Sequence, residues 1–312
     1  MNIFLTGATG FVGQHFLKFC AAENTSDRIF ALSRNKSNPE YKNVTWLEES
    51  KNYDKFLKDH LIDIIIHLAG KAHDTKNTSV PEEYTEVNYE MTVKLYDAFA
   101  KSAASKFIFL STIKAVGDDK TYITDSNDLS DPQTPYAKSK RDAEKYIQSY
   151  NLPANKQHYI LRPVLIYGSG VKGNLATLVK FAKMGLPYPF EAFENKRSYL
   201  SVNNLNFILA KVFKGDYSSF TLNIANEDAI STKELISLIY KALNEKPSKI
   251  NFPETVIKLI SLIGDLIPIP LNTEKLKKIT SSFVVDTGEM TKVLGFNLPE
   301  KTRDTISLIT KN

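Results

Sequence analysis

Three groups able to move a proton fall within a short middle stretch of the chain. In the run YAKSK, Tyr136 and Lys140 are four residues apart, so on a helix they share one face, one turn from each other. A free phenol titrates at about pH 10, and an ammonium beside it favours the phenolate. Upstream, the apolar run KFIFL (Lys106 to Leu110) leads into Ser111 and Thr112. These hydroxyls stand at the carboxyl end of a predicted central parallel strand, where open α/β sheets hold their ligands. Proton transfer at a substrate oxygen is the chemistry such groups support.

A second chemical segment opens the chain. TGATGFVG sets Gly7, Gly10 and Gly13 between an apolar strand run (NIFL, residues 2 to 5) and a helical pattern from Phe11 to about Ala22. Glycine there allows a tight turn, close approach of backbone to a pyrophosphate and close helix-to-strand packing, while the helix start offers amides and partial positive charge. This context predicts a dinucleotide site. About 20 residues further on, an acidic residue would hold the ribose 2′-hydroxyl of NAD. The chain has Ser33 and Arg34 instead. A guanidinium and a hydroxyl pair with a 2′-phosphate, so NADP(H) is expected ahead of NAD(H).

The elements that must carry these groups alternate. Strand runs at Ile29 to Leu32, Val44 to Leu47, Asp63 to Leu68 (DIIIHL), Lys106 to Leu110 and Tyr159 to Leu161 are separated by helical patterns. One of these has Ser79 as its N-cap and Tyr84, Val87, Met91, Leu95 and Phe99 at helical spacing; another runs from about Tyr136 to Tyr150. The β-branched DIIIHL run fits a strand buried on both faces. The predicted fold class is α/β, a Rossmann-type doubly wound parallel sheet with a smaller C-terminal α/β lobe. After Tyr167 the pattern becomes irregular, then a helix-like Asn203 to Phe213 and a strand-like TLNIA (Thr221 to Ala225) return. Residues 1–165 and 199–226 are therefore assigned to the dinucleotide-binding domain, and 166–198 and 227–312 to a substrate lobe.

Composition narrows the function classes. The chain has 312 residues, 42% hydrophobic and 24% charged, as soluble globular proteins do. Its single cysteine, Cys20, excludes an intrachain disulfide and any CxxC metal spacing, and no metal is expected. A net charge of +5 is spread along the chain, so no nucleic-acid partner is expected. The start MNIFLTGATG lacks secretory-signal features, and a cytoplasmic location is expected. The most apolar stretch, Val256 to Leu271, is broken by Lys258, Asp265, Pro268 and Pro270. It is too short and interrupted to span a bilayer and reads as a core-packed amphipathic helix ahead of one in membrane contact, so no integral membrane segment is expected.

The GxxGxxG spacing of TGATGFVG, LSTIKAVG (residues 110 to 117) and YAKSK together resemble the extended short-chain dehydrogenase/reductase family of NAD-dependent epimerases and dehydratases, over nearly the whole chain. The resemblance implies that Tyr136 is the acid/base, Lys140 holds the nicotinamide ribose and tunes Tyr136, and Thr112 hydrogen-bonds the substrate oxygen on which charge develops. It also implies that Thr9, Phe11 and Val12 join the glycines around the cofactor. HLAG lines the cofactor through Leu68, Ala69 and Gly70, Asn88 in EVNYEMT is a structural asparagine, and Pro163 in LRPV closes the cofactor site. His67 itself reads as a core histidine.

The same resemblance separates reactions. Sugar-nucleotide 4,6-dehydratases carry a motif like STDEVYG; here Ile113 and Lys114 stand in place of its acid and base, so dehydration is not expected. LRPVLIYGSGVKGNL, NKRSYLSVNNL and SSFVVDTGEMTKVLGFNLP are similar to bacterial UDP-2-acetamido-2,6-dideoxy-4-hexulose reductases and related 4-epimerases, with Phe296 where tryptophan is usual. By position, Asn174 contacts sugar or diphosphate and Arg197 clamps a phosphate, while Ser198, Ser201 and Asn203 depart from the polar partners of many epimerases. Lys114, two beyond Thr112, points by strand alternation toward the same side and is assigned to the substrate. Arg34 tilts the expectation to NADPH-dependent reduction of the C4 ketone of a UDP-sugar in surface polysaccharide biosynthesis. An NAD-dependent 4-epimerase of a UDP-hexose or UDP-N-acetylhexosamine, free or lipid-linked, is the alternative, and a non-catalytic dinucleotide sensor is a remote third. A homodimer is compatible with the sequence.

Overall fold

Alternation within single strands builds the two sides of the molecule. In β1 (Asn2–Thr6), Ile3 and Leu5 enter one buried cluster while Phe4 enters another on the opposite face. The computed structural model describes residues 1–23, 26–33, 41–48, 52–72, 80–117, 120–185, 193–246, 252–267 and 272–311. After β1 come α1 (Phe11–Ala22), β2 (Arg28–Leu32), β3 (Val44–Leu47), α2 (Tyr53–Asp59) and β4 (Ile64–His67). A long helix follows as α3 (Pro81–Tyr84), a π-helical turn (Thr85–Glu90) and α4 (Met91–Lys101), and leads to β5 (Lys106–Leu110). Its N-cap is Val80 with Pro81 in the first turn; the expected cap Ser79 lies outside the described residues.

A 3₁₀ turn (Ile113–Ala115), β6 (Tyr122–Ile123), α5 (Pro135–Ser149), β7 (Gln157–Pro163), β8 (Leu165–Tyr167), α6 (Asn174–Lys183), β9 (Tyr199–Ser201), α7 (Val202–Lys214) and β10 (Phe220–Ile224) continue the chain. The rest is helical apart from β11 (Val284–Val285): α8 (Thr232–Leu243), α9 (Glu254–Leu266), α10 (Thr273–Thr280), α11 (Gly288–Leu294) and α12 (Thr302–Thr305).

Seven strands form one parallel sheet in the order β10-β7-β5-β4-β1-β2-β3. This is the α/β Rossmann-like arrangement expected. Because all strands run the same way, their carboxyl ends share one edge. The chain progresses outward from β1 through β2 to β3, then returns to β4 on the other side of β1, which opens a crevice at that edge. β5 repeats the alternation, with Ile108 and Leu110 in one cluster and Phe107 and Phe109 in the other. Four consecutive residues of β4 are buried, as a strand covered on both faces requires.

A third cluster gathers Tyr167, Leu175, Leu235, Ile239 and Ile306 of the expected substrate lobe with Tyr199. Residues 284–298 were assigned to that lobe. Val285, Met290, Leu294 and Leu298 instead share the large cluster that includes Ile3, Leu5 and Ile108. Ser201 and Asn203, the departures from the epimerase pattern, both donate to the Glu300 carboxylate, at 2.6 and 2.8 Å. Ser198 accepts the Val285 amide at 3.1 Å. These substituted side chains tie the C-terminal segment to β9 and α7.

The Val256 to Leu271 stretch corrects its sequence reading. Within α9 the buried residues are Ile257 and Ser261, whereas Val256, Leu259, Ile260, Leu262, Ile263 and Leu266 are exposed. Apolar content and helical period do not state which face turns inward, and here the apolar face turns out. Residues 268–271 lie outside the described residues.

Candidate active site

The glycine turn sits between β1 and α1. Gly7 has φ +73°, a region that favours glycine, and a Cβ there would lie 2.6 Å from the Ala69 amide nitrogen. A Cβ on Gly13 would meet the Gly7 carbonyl at 2.3 Å. Gly10 is the N-cap of α1, with no side-chain cap and no acidic residue in the first turn. The amides of Phe11, Val12 and Gly13 begin the helix without intrahelical acceptors, and the dipole adds positive charge. Small residues, capless amides and a cradle that a Cβ would fill are the features a pyrophosphate needs, so these residues fit a dinucleotide. Gly13→Ala should lower stability by about 1 to 3 kcal/mol through overpacking against backbone and remove the thermal shift produced by added NAD. Melting curves with and without the nucleotide check this.

Ser33 follows β2, is buried, and donates its amide to the Leu47 carbonyl at 2.9 Å. Arg34, on which the NADP(H) expectation rests, lies outside the described residues.

A relay of hydrogen bonds runs from this turn to the helix that bears Tyr136. The Ala69 amide donates to Thr6 Oγ1 at 3.2 Å, and Thr6 Oγ1 lies 2.6 Å from His67 Nδ1. His67 Nε2 lies 2.9 Å from Thr92 Oγ1, which donates to the Asn88 carbonyl at 2.8 Å. Because Thr92 spends its proton on Asn88, His67 must donate through Nε2 and accept from Thr6 at Nδ1, which identifies one neutral tautomer. Burial first, and the Lys140 charge second, push the His67 pKa down to about 3.

In the unfolded chain the same imidazole binds a proton below about pH 6.5. From about pH 6.5 down to about 3 the unfolded state therefore holds the extra proton, and stability falls as acid is added. Urea midpoints should decline through that window, while the His67 ring resonances of the folded protein stay at their neutral positions at pH 5.

Asn88, on the π-helical turn, completes the relay. Its Oδ1 accepts the Lys71 amide at 2.7 Å, its Nδ2 donates to Ser139 Oγ at 3.0 Å, and Ser139 Oγ donates to the Tyr136 carbonyl at 2.9 Å. Such one-turn π segments recur at functional sites. Leu68 and Ala69 follow β4, half-buried, and a Cβ on Gly70 would lie 3.1 Å from both Asn88 Oδ1 and Lys140 Nζ. Pro163 is buried at the carboxyl end of β7, and Thr9 lies half-buried in the glycine turn.

Thr134 caps α5 by accepting the Ala137 amide, and Pro135 opens the first turn, in which Tyr136 is the second residue. The Tyr136 ring is half-buried, with its centroid 6.4 Å from that of Tyr84. Burial raises its pKa above the usual 10; the nearby Thr112 hydroxyl acts on it in the opposite, smaller sense. The structure thus brings Thr112 to Tyr136.

Lys140 is buried, donates to the Leu110 carbonyl at 2.9 Å and lies 4.5 Å above the Phe109 ring. Burial lowers its pKa to about 7, opposed by the Glu144 carboxylate.

Beneath the trio lies a pair that sequence reasoning missed. Glu144 is fully buried, as is Arg162 on β7. Arg162 Nε donates to both Glu144 oxygens at 3.0 Å, Nη2 donates to Oε2 at 2.7 Å and Nη1 to the Ser126 carbonyl at 2.7 Å. The Ser111 hydroxyl also donates to Glu144. The signal was present in the spacing, since Glu144 is four beyond Lys140 and shares its buried face.

Lys114 requires a correction. β5 stops at Leu110, Thr112 caps the 3₁₀ turn by accepting the Lys114 amide at 3.3 Å, and strand alternation does not apply. The Lys114 side chain is exposed. Asn174 is exposed at the first position of α6. Arg197 is half-buried, exchanges backbone hydrogen bonds with Ile230 and donates through Nη1 to the Ser281 carbonyl at 3.4 Å. Among the described residues no cluster of three or more His, Cys, Asp or Glu side chains is placed to hold a metal ion.

Comparisons with known proteins agree with this geometry. The model of the NAD dependent epimerase/dehydratase family matches residues 3–224. A UDP-glucose 4-epimerase of Vibrio cholerae is 28% identical over 310 residues, covering 96% of this chain and 91% of the relative. An N-acetyl-alpha-D-glucosaminyl-diphospho-ditrans,octacis-undecaprenol 4-epimerase of Escherichia coli O157:H7 is 27% identical over 257 residues, covering 81% of this chain and 75% of the relative. Among solved structures, the UDP-glucuronic acid 4-epimerase of Bacillus cereus in complex with NAD superposes with a TM-score of 0.76 at 17% identity, covering 99% of this chain and 97% of that one.

Proposed function

Since the chain belongs to the NAD dependent epimerase/dehydratase family, we propose that it is an NAD-dependent 4-epimerase of a UDP-hexose or UDP-N-acetylhexosamine. This reading stands ahead of the 4-ketoreductase expected from sequence. The observation that carries it is the 28% identity sustained over 96% of the chain to a UDP-glucose 4-epimerase. The tilt toward reduction rested on Arg34 and on likeness to the 4-hexulose reductases.

A bound dinucleotide would supply the acceptor for a hydride from C4 and the donor that reduces the opposite face of the 4-ketone. Tyr136 takes the proton of the C4 hydroxyl as that carbon is oxidised and gives it back on reduction; its position beside Thr112 supports both steps. Thr112 donates to the same oxygen while charge develops on it. Lys140, close to Gly70 and Asn88, holds the ribose and supplies positive charge to the phenolate once protonated. The amides of Phe11 to Gly13 hold the pyrophosphate, and Arg197 and Asn174 hold the UDP-sugar across the crevice. No carboxylate adjoins Thr112, where Ile113 and Lys114 follow, which leaves water elimination without its acid and base.

The test is to incubate the purified protein with UDP-galactose and, separately, UDP-N-acetylgalactosamine, without added reductant, and follow C4 by NMR. Approach to a mixture of C4 epimers supports the reading. Stoichiometric loss of NADPH with a UDP-4-keto sugar, and no epimer formed from either substrate, replaces it with the ketoreductase.

A further inference from the structure

Helix α9 is amphipathic the wrong way round for a core helix. At about 100° per residue, Val256, Leu259, Ile260, Leu262, Ile263 and Leu266 occupy one stripe of about 160°. All six are 39 to 87% exposed. The inward face is Ile257 and Ser261, with Asp265 turned to the α9–α10 junction, where its carboxylate accepts the Thr273 amide at 3.1 Å and hydroxyl at 2.8 Å. The stripe itself bears no charge. Lysines flank it: Lys258, paired with Glu254, and Lys277 line a cleft between α9 and α10 together with Leu262 and Leu276.

Clustered exposed apolar side chains of this size mark a docking surface. Two properties select the occupant. A helix of 13 residues is about 20 Å long and about 10 Å wide. One face of it falls well short of the roughly 800 Å² that each partner of a stable protein pair covers. Among the described residues no helix is long and apolar enough to cross a membrane. An uncharged stripe on a short helix, bordered by lysines, is instead the pattern of a helix lying in a lipid interface.

We propose that α9 and α10 dock this protein onto an anionic phospholipid bilayer. The α9 stripe enters the boundary between headgroups and acyl chains, and Lys277 in α10 meets lipid phosphates. The proposal stands whichever C4 epimers the site interconverts.

The experiment is cosedimentation of the full chain with vesicles of phosphatidylglycerol mixed with phosphatidylcholine, and with phosphatidylcholine alone, at low salt. The wild-type protein should sediment with the mixed vesicles and less with the neutral ones. The double variant Leu262→Glu/Leu266→Glu should lose at least tenfold in partitioning while its melting temperature is unchanged, since both side chains are exposed. Lys277→Gln should lose about fivefold on mixed vesicles and little on neutral ones.

Wild-type protein that stays in the supernatant overturns the proposal, as does a double variant that sediments like wild type or an equal Lys277→Gln loss on both vesicles. If the double variant instead turns a dimer into a monomer, and neither form binds vesicles, the occupant is a second copy of the chain and the proposal is wrong.

Discussion

Tyr136→Phe is expected to lower kcat by about 10² to 10⁴ while the folded protein still binds NAD and nucleotide sugar. The substitution keeps the ring that packs near Tyr84 and removes only the proton carrier beside Thr112. Because the carrier acts only as C4 is oxidised or reduced, kcat and kcat/KM should fall together. Stopped-flow or NMR progress curves measure both. A rate within threefold of wild type would remove the phenol from the chemistry, whatever else the variant did.

The second large effect concerns stability. Arg162→Met leaves the Glu144 carboxylate buried with its guanidinium partner gone, which should cost about 3 to 5 kcal/mol. Glu144→Gln/Arg162→Met removes the stranded charge and should regain most of that loss, because a buried ion pair is worth far less net than either half is costly alone. Urea unfolding of the two variants and wild type gives the comparison. A single variant that costs under 1 kcal/mol would mean that the carboxylate finds other donors, Ser111 among them. The pair matters to the site because Glu144 opposes the fall in the Lys140 pKa.

Much of this architecture was legible because short-range patterns carried it. KFIFL reads as a buried strand, and its alternation sends Phe107 and Phe109 to one face of the sheet and Ile108 and Leu110 to the other. The glycines at 7, 10 and 13 were legible for a steric reason that the structure displays, backbone within 2.3 to 3.1 Å of where their Cβ atoms would stand. YAKSK announced one helical face, and α5 carries it.

What was not legible depended on contacts between distant elements. The Glu144–Arg162 pair joins α5 to β7, and nothing local to either residue marks the partner. The Thr6–His67–Thr92–Asn88–Ser139 relay needs strands β1 and β4, the long helix that holds Asn88 and Thr92, and α5 in register before any of its hydroxyls has a direction. Lys114 was misread because strand alternation was extended past Leu110, where Thr112 already caps a 3₁₀ turn. In α9 the periodicity was correct and the facing was not. A helix pattern reports that apolar residues share a side, but burial is decided by what packs against it.

The central claim is that one hydride leaves C4 and returns to the same carbon within a single site, with Tyr136 carrying the accompanying proton. UDP-galactose labelled with deuterium at C4, incubated with the NAD-loaded protein in ordinary water, tests it most directly. The UDP-glucose formed should keep the deuterium at C4, with no NADPH consumed. Product carrying solvent hydrogen at C4, or labelled carbon reduced only when NADPH is supplied, would contradict it.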